Sequence, residues 1–202
     1  MPISYHHNPF ATRFTQPGTI PFIFREDESL GEIQRHFRKN QFVGQIVGPH
    51  GSGKTTLTHD LVTGLEDQFS RIRRLTIRSS SQLKIEDSHC PSLSSNRQLL
   101  IIDGLERFSR LHRWLLLENV RRRRIGLLIT THRQMFGIPV LFKTRPSLDT
   151  LNQLIRQLAP GLAIEQGIVK SSLANSGGSI RESLMTLYNW VESNHSLVAI
   201  AD

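Results

Sequence analysis

Cysteine is almost missing from this chain: among 202 residues there is one, Cys90. An internal disulfide framework is excluded, and so is a cysteine-based zinc cluster. Long apolar runs are missing too, since none approaches the roughly 18 residues that a membrane helix needs. The opening MPISYHHNPF has neither a basic n-region nor an apolar h-region, so no secretory signal is expected. Acids are in short supply, 17 against 25 lysines and arginines, leaving a formal net charge of +8. Hydrophobic residues make up 38%, low for a rich core but above the disordered class. At this length one domain is the default, with room for a small satellite. These shortages predict a soluble protein of a reducing compartment, the cytoplasm, with no membrane span. The charge predicts a polyanionic partner; nucleotide, nucleic acid and acidic lipid all fit.

What is present alternates between two periods. Pro9, Pro17, Gly18 and Pro21 punctuate an irregular arm that carries Phe10, Phe14, Phe22 and Phe24. A capping box, Ser29 with Glu32, opens a helix whose Leu30, Ile33 and Phe37 share a face. Phe42 to Val47 reads as a strand, and about Lys54 to Leu65 as a helix. Leu75 and Ile77 alternate with Arg74, Thr76 and Arg78, as on a half-exposed strand at a sheet edge. Ser79 to Asn96 is serine-rich and reads as a long surface loop. Leu99 to Ile102 is aliphatic throughout and closes on Asp103, as does a central strand of a parallel sheet. A helix from about Arg107 to Arg122, a buried strand from Ile125 to Thr131 and an edge strand around Pro139 follow. Strands alternating with helices predict an α/β fold with a mainly parallel sheet of five strands. From about Pro146 the pattern is helical, with one helix on Leu148 to Leu158 and another opened by a second capping box, Ser179 with Glu182. The expected division is a core with its arm over 1–145 and a small helical lid over 146–202.

Gly48-Pro49-His50-Gly51-Ser52-Gly53-Lys54-Thr55 matches G-x-x-x-x-G-K-[ST]. A chain that wraps a phosphate with its amides pointing inward needs backbone angles that glycine takes at least cost. The loop then opens a helix, whose N-terminus favours an anion. Lys54 would bridge β- and γ-phosphate oxygens, and the Thr55 hydroxyl would ligate Mg²⁺, with Thr56 beside it. The motif sits where its chemistry requires, after an apolar strand and before an amphipathic helix.

A carboxylate at the tip of a central strand can hold Mg²⁺ through a water, and Asp103 has that place. Gly104 follows it, so the adjacent position offers no acid to polarise an attacking water. Glu106 is the nearest carboxylate; it would either swing into that role or simply complement a helix dipole. Thr130, Thr131 and His132 end the next buried strand. Alternation alone does not decide which of them faces a phosphate. Arg181 stands in the first turn of the last helix, where a cation is electrostatically unfavourable, and this conflict points to another task.

GPHGSGKT, LLIID, ITTHR and GGSIRE, in that order, give the chain a resemblance to AAA+ P-loop ATPases, and the opening NPF, followed by a helix and then the phosphate loop, looks like the secretion- and transposition-associated and initiator-type members. The resemblance implies a sheet order of 5-1-4-3-2 and bound ATP with Mg²⁺. It implies that Thr131 and Arg181 watch the γ-phosphate, and that Asn8, Pro9 and Phe10 contribute to adenine binding. The chain departs from the family at Gly104, and by having only a short segment around Gln134, Met135 and Phe136 where relatives carry a helix with an arginine finger.

Three functions compete: a nucleotide-dependent switch or motor with slow Mg²⁺-dependent hydrolysis, a nucleotide-binding regulator with little hydrolysis, and a small P-loop kinase. The last usually needs several lid arginines, and the region after Pro146 has only Arg156 and Arg181. The arginines from Arg107 to Arg124 read either as a solvated helix that complements its dipole or as a nucleic-acid patch. A protein partner is the other candidate.

Overall fold

The computed structural model describes residues 8–79, 82–89 and 97–194, with backbone alone over 78–79 and 82–89. In chain order the first elements are α1 (Thr12–Thr15), α2 (Leu30–Lys39), β1 (Val43–Val47), α3 (Lys54–Thr63), β2 (Arg71–Ser79) and β3 (Gln82–His89). Then come β4 (Gln98–Asp103), α4 (Arg110–Arg123), β5 (Gly126–Thr131), β6 (Val140–Lys143), α5 (Leu148–Leu158), α6 (Gln166–Asn175) and α7 (Ile180–Ser193). The chain forms two compact units. One takes Phe24–Gly48 and Leu57–Thr144; the other takes the residues up to Ile23, Pro49–Thr56 and those from Arg145 onward.

The first unit is built on a six-stranded sheet in the order β3-β2-β4-β5-β1-β6. All neighbouring pairs are parallel except β2 and β3. The five parallel strands follow the order that the resemblance implied. The correction concerns the stretch read as a loop from Ser79 to Asn96: its residues 82–89 form β3, antiparallel to β2 with Ile77↔Leu83 and Leu75↔Ile85 as backbone partners. The strand carrying Leu75 is therefore not an edge. The serine-rich flanks obscured a period-two alternation of Leu83 and Ile85 with Gln82, Lys84 and Glu86. Residues 90–96 of that stretch, Cys90 among them, lie outside the described residues.

Every residue of β5 is buried, as its unbroken apolar run predicts for a strand with both faces covered. Ile102, Leu105, Leu127, Ile129 and Val120 form one cluster with Met135 and Ile138. Burial of each such side chain stabilises the fold by roughly 1.5–3 kcal/mol. Pro139 lies just before β6, which pairs only with β1, so its missing N–H is harmless at this edge. Its carbonyl is used instead, accepting from the Gln45 N–H at 2.8 Å.

Gln45 is a fully buried polar residue in β1. Its amide nitrogen donates to the carbonyls of Met135 (2.8 Å) and Ile138 (2.6 Å), and its amide oxygen accepts from the Met135 N–H (2.9 Å). One side chain thereby satisfies the backbone of the short β5–β6 connection that the sequence marked as unusual.

The second unit centres on α5, α6 and α7. Leu151, Ile155, Val169, Leu184, Leu187 and Val191 form its core, and Phe10 from the arm is part of the same cluster. The helix α6 was not read from the sequence; its apolar Ile168, Val169 and Leu173 are interrupted by Gly167, Ser171 and Ser172. The expected caps form, with Ser29 accepting from the Glu32 N–H and Ser179 from the Glu182 N–H, each at 3.3 Å.

Gln45→Leu leaves one buried N–H and two carbonyls without partners. It should lower stability by about 2–4 kcal/mol, read as a fall in the urea midpoint. An unchanged midpoint would show that the connection does not depend on this side chain.

Candidate functional site

The structure groups the sequence-derived residues into two sets, one within each unit. In the helical unit the phosphate loop meets the first turn of α7. Gly51 and Gly53 lie in the left-handed region, at φ +64° and +86°. A Cβ at Gly51 would collide with Ser179 Oγ and stand 3.3 Å from Arg181 Cβ; one at Gly53 would stand 3.0 Å from the ring of Phe22 in the arm. Glycine is required both by conformation and by close approach. Lys54 opens α3 and is buried, 8% exposed. Its Nζ donates to the Pro49 carbonyl at 2.6 Å, and Ser52 Oγ donates to the same carbonyl at 2.8 Å. Pro49, His50 and Thr55 are exposed, and Thr56 is half-buried. A loop of this kind running into a helix N-terminus, with a buried ammonium at the junction, fits an anion. An ionised phosphate oxygen is a stronger acceptor for Lys54 than the carbonyl it now holds.

Arg181 is exposed, and its backbone N–H donates to the Gly51 carbonyl at 3.4 Å. A run of serines puts it there. Ser183 Oγ donates to the Ser179 carbonyl at 2.7 Å and lies 2.8 Å from Ser176 Oγ. Ser176 Oγ also lies within bonding distance of the Leu173 and Ser179 carbonyls. Ser172 and Ser183 are fully buried, and Gly177 and Gly178 turn the chain between α6 and α7 at φ +60° and +83°. A buried polar network whose members all have partners fixes one geometry. The sequence reading missed these serines. Their only signal is the spacing of Ser172, Ser176, Ser179 and Ser183 at three and four residues, easily taken for polar filler.

Asn8 and Phe10 are both buried. The Asn8 amide nitrogen donates to the Tyr188 carbonyl and to Glu192 Oε1, both at 2.9 Å, and its oxygen accepts from the Phe10 N–H at 3.0 Å. These two side chains fasten the arm to α7.

In the sheet unit the carboxyl ends of β1, β5 and β4 stand in register, with Val47 opposite Thr131 and Thr130 opposite Asp103. The Thr130 hydroxyl donates to Asp103 Oδ1, and Asp103 is otherwise exposed. Gly48, where the phosphate loop leaves β1, donates its N–H to the Thr131 carbonyl at 3.1 Å. The Thr131 hydroxyl, on the next residue of the alternation, is buried and has no hydrogen-bond partner among the described residues. His132 has Nδ1 3.2 Å from the Gly48 carbonyl and Nε2 3.8 Å from Glu106 Oε1. The other oxygen of Glu106 is buried without a partner among the described residues. Two buried, unpaired oxygens at one set of strand ends are costly unless something else meets them.

The geometry also explains Gly104. It lies at φ +84°, and a Cβ there would come within 2.6 Å of the Ile77 carbonyl. No acid fits at that position. The chain turns sharply after Asp103, and the next carboxylate, Glu106, falls beside His132.

No family model matches the chain, and no curated protein matches it. Among solved structures it is similar to the S. cerevisiae Hsp104–ADP complex, with a TM-score of 0.55 and 13% identity. The match covers 93% of this chain and 33% of that one, so the chain spans about a third of the length of the protein it resembles. The likeness is one of fold. The arrangement of parallel strands and flanking helices is of the same kind as in that structure. Among the described residues no helix is long and apolar enough to cross a membrane.

Gly104→Ala forces an L side chain into a left-handed turn against a backbone carbonyl. It should lower stability by about 1–3 kcal/mol in thermal unfolding. Unchanged unfolding would mean that the turn relaxes without cost.

Proposed function

We propose that this chain binds ATP on the Gly48–Thr55 loop and acts as a nucleotide-dependent switch with slow Mg²⁺-dependent hydrolysis. The observation that carries this reading is the loop itself: two positive-φ glycines, a buried Lys54 at the start of α3, and Arg181 hydrogen-bonded to Gly51 through its backbone. The AAA+ fold and the motif order support it.

Lys54 would release the Pro49 carbonyl and take β- and γ-phosphate oxygens. Pro49, His50, Gly51, Ser52 and Gly53 would wrap the phosphates, with Thr56 just beyond. Thr55 is the proposed ligand of Mg²⁺, and Asp103 the acid that would hold it through a water. When bound, Mg²⁺ neutralises charge on the phosphate oxygens. Arg181 would sense the γ-phosphate, and its bond to Gly51 would pass a loop movement into α7. Thr131 is the proposed polar strand-tip group and Glu106 the acid that orients water; the unpaired oxygens of both support this. Asn8 and Phe10 are proposed to act by holding the arm in place rather than by touching the base. The helices from Leu148 onward would serve as the lid.

A second reading, a nucleotide-held regulator with little hydrolysis, is favoured by Gly104, where the usual acid cannot stand. Binding of a fluorescent ATP analogue, measured with phosphate release, separates the two. Lys54→Ala should weaken Mg²⁺-dependent binding by at least about tenfold, the loss of one charge-assisted contact. Glu106→Gln should retain binding and abolish release. Release at background in the wild type selects the regulator, and no nucleotide binding by the wild type removes both readings.

A further inference from the structure

The apolar residues of α4 point in two directions. Val120 is buried, and Leu116 and Leu117 pack against the sheet core. That face is explained by the fold. Leu111, Trp114 and Leu115 lie on the other side, 62%, 61% and 47% exposed. Their spacing of i, i+3 and i+4 makes them one continuous stripe. Single exposed leucines are ordinary, but three large apolar side chains in one stripe mark an interaction surface.

The charge around the stripe decides what it fits. Arg110 stands before it, and Arg121 and Arg122 follow it along the helix, all exposed. Glu118 is the one acid of α4, and it is already paired with Arg122 at 2.8 Å. Among the described residues neither Arg110 nor Arg121 has a carboxylate partner. A second copy of this face would set arginine against arginine, which opposes self-association through it. A single-stranded nucleic acid would satisfy the arginines but not the leucines, because stacking platforms are built from aromatic faces, and Trp114 is the only ring in the stripe.

We propose that α4 is a docking surface for an acidic amphipathic helix of a partner protein. Apolar side chains of that helix cover Leu111, Trp114 and Leu115, and its flanking aspartates or glutamates meet Arg110 and Arg121. The stripe supplies most of the affinity, with Trp114 as its anchor. The arginines speed encounter and set the orientation. The proposal is independent of nucleotide binding.

The test uses the full chain and a short fluorescein-labelled helical peptide with a leucine face and glutamate flanks, followed by fluorescence anisotropy. The expected result is saturable binding that weakens with salt and falls at least about tenfold in Trp114→Ala and in Leu111→Ser. All three stripe residues face solvent, so the variants should melt like the wild type, and Leu115→Ser replaces either one that does not. Equal binding of a scrambled peptide of the same composition would overturn the proposal, since charge alone would then suffice. So would absence of binding, or binding untouched by the variants. Oligothymidylate that displaces the peptide and itself depends on Trp114 would assign the surface to nucleic acid instead.

Discussion

The tightest constraint in the helical unit is the approach of the Gly51 backbone to the first turn of α7. Ser179 Oγ sits where a Gly51 side chain would be, and the Arg181 N–H is bonded to the Gly51 carbonyl. This contact ties the phosphate loop to α7, and through α7 to the packed core that also holds Phe10. The same serine that closes on Gly51 caps α7 by accepting from Glu182. The buried hydroxyls of Ser172 and Ser183 hold the turn before it. A cation in the first turn of a helix is unfavourable on its own. Here a network of neutral hydrogen bonds fixes that turn, so Arg181 keeps its place without needing local electrostatic support.

The sheet unit has a constraint of its own. Five parallel strands bring Gly48, Asp103, Thr130 and Thr131 to one set of carboxyl ends. The close Ile77 carbonyl demands glycine after Asp103, and the next carboxylate along the chain is Glu106, beside His132. This is a steric reason for a departure that the sequence showed only as a missing glutamate.

Much of this was legible in the residues. The Gly48–Thr55 loop between a strand and a helix, and the strand that ends at Asp103, could be read because residue type and spacing mark them. The order of the five parallel strands followed from the resemblance those motifs carry. The strand β3 was not legible because serines flank its short alternation, and α6 because glycine and serines break its apolar period. The choice among Thr130, Thr131 and His132 was beyond alternation alone. The structure adds that Thr130 stands opposite Asp103 and that the Thr131 hydroxyl is buried with no partner among the described residues. On α4 the arginines drew attention from the sequence, while the apolar stripe between them emerged only once exposure was known. The anchoring of the arm to α7 by the side chains of Asn8 and Phe10 was not legible in the sequence.

The proposed switch depends on Arg181 reading the γ-phosphate from the first turn of α7. Calorimetric titration of ATP and ADP into the wild type and into Arg181→Ala tests this most directly. The predicted result is saturable binding of both nucleotides by the wild type. In the variant, ATP affinity should fall by roughly tenfold or more, with ADP affinity nearly unchanged. An equal loss for the two nucleotides, or no loss for either, would contradict it.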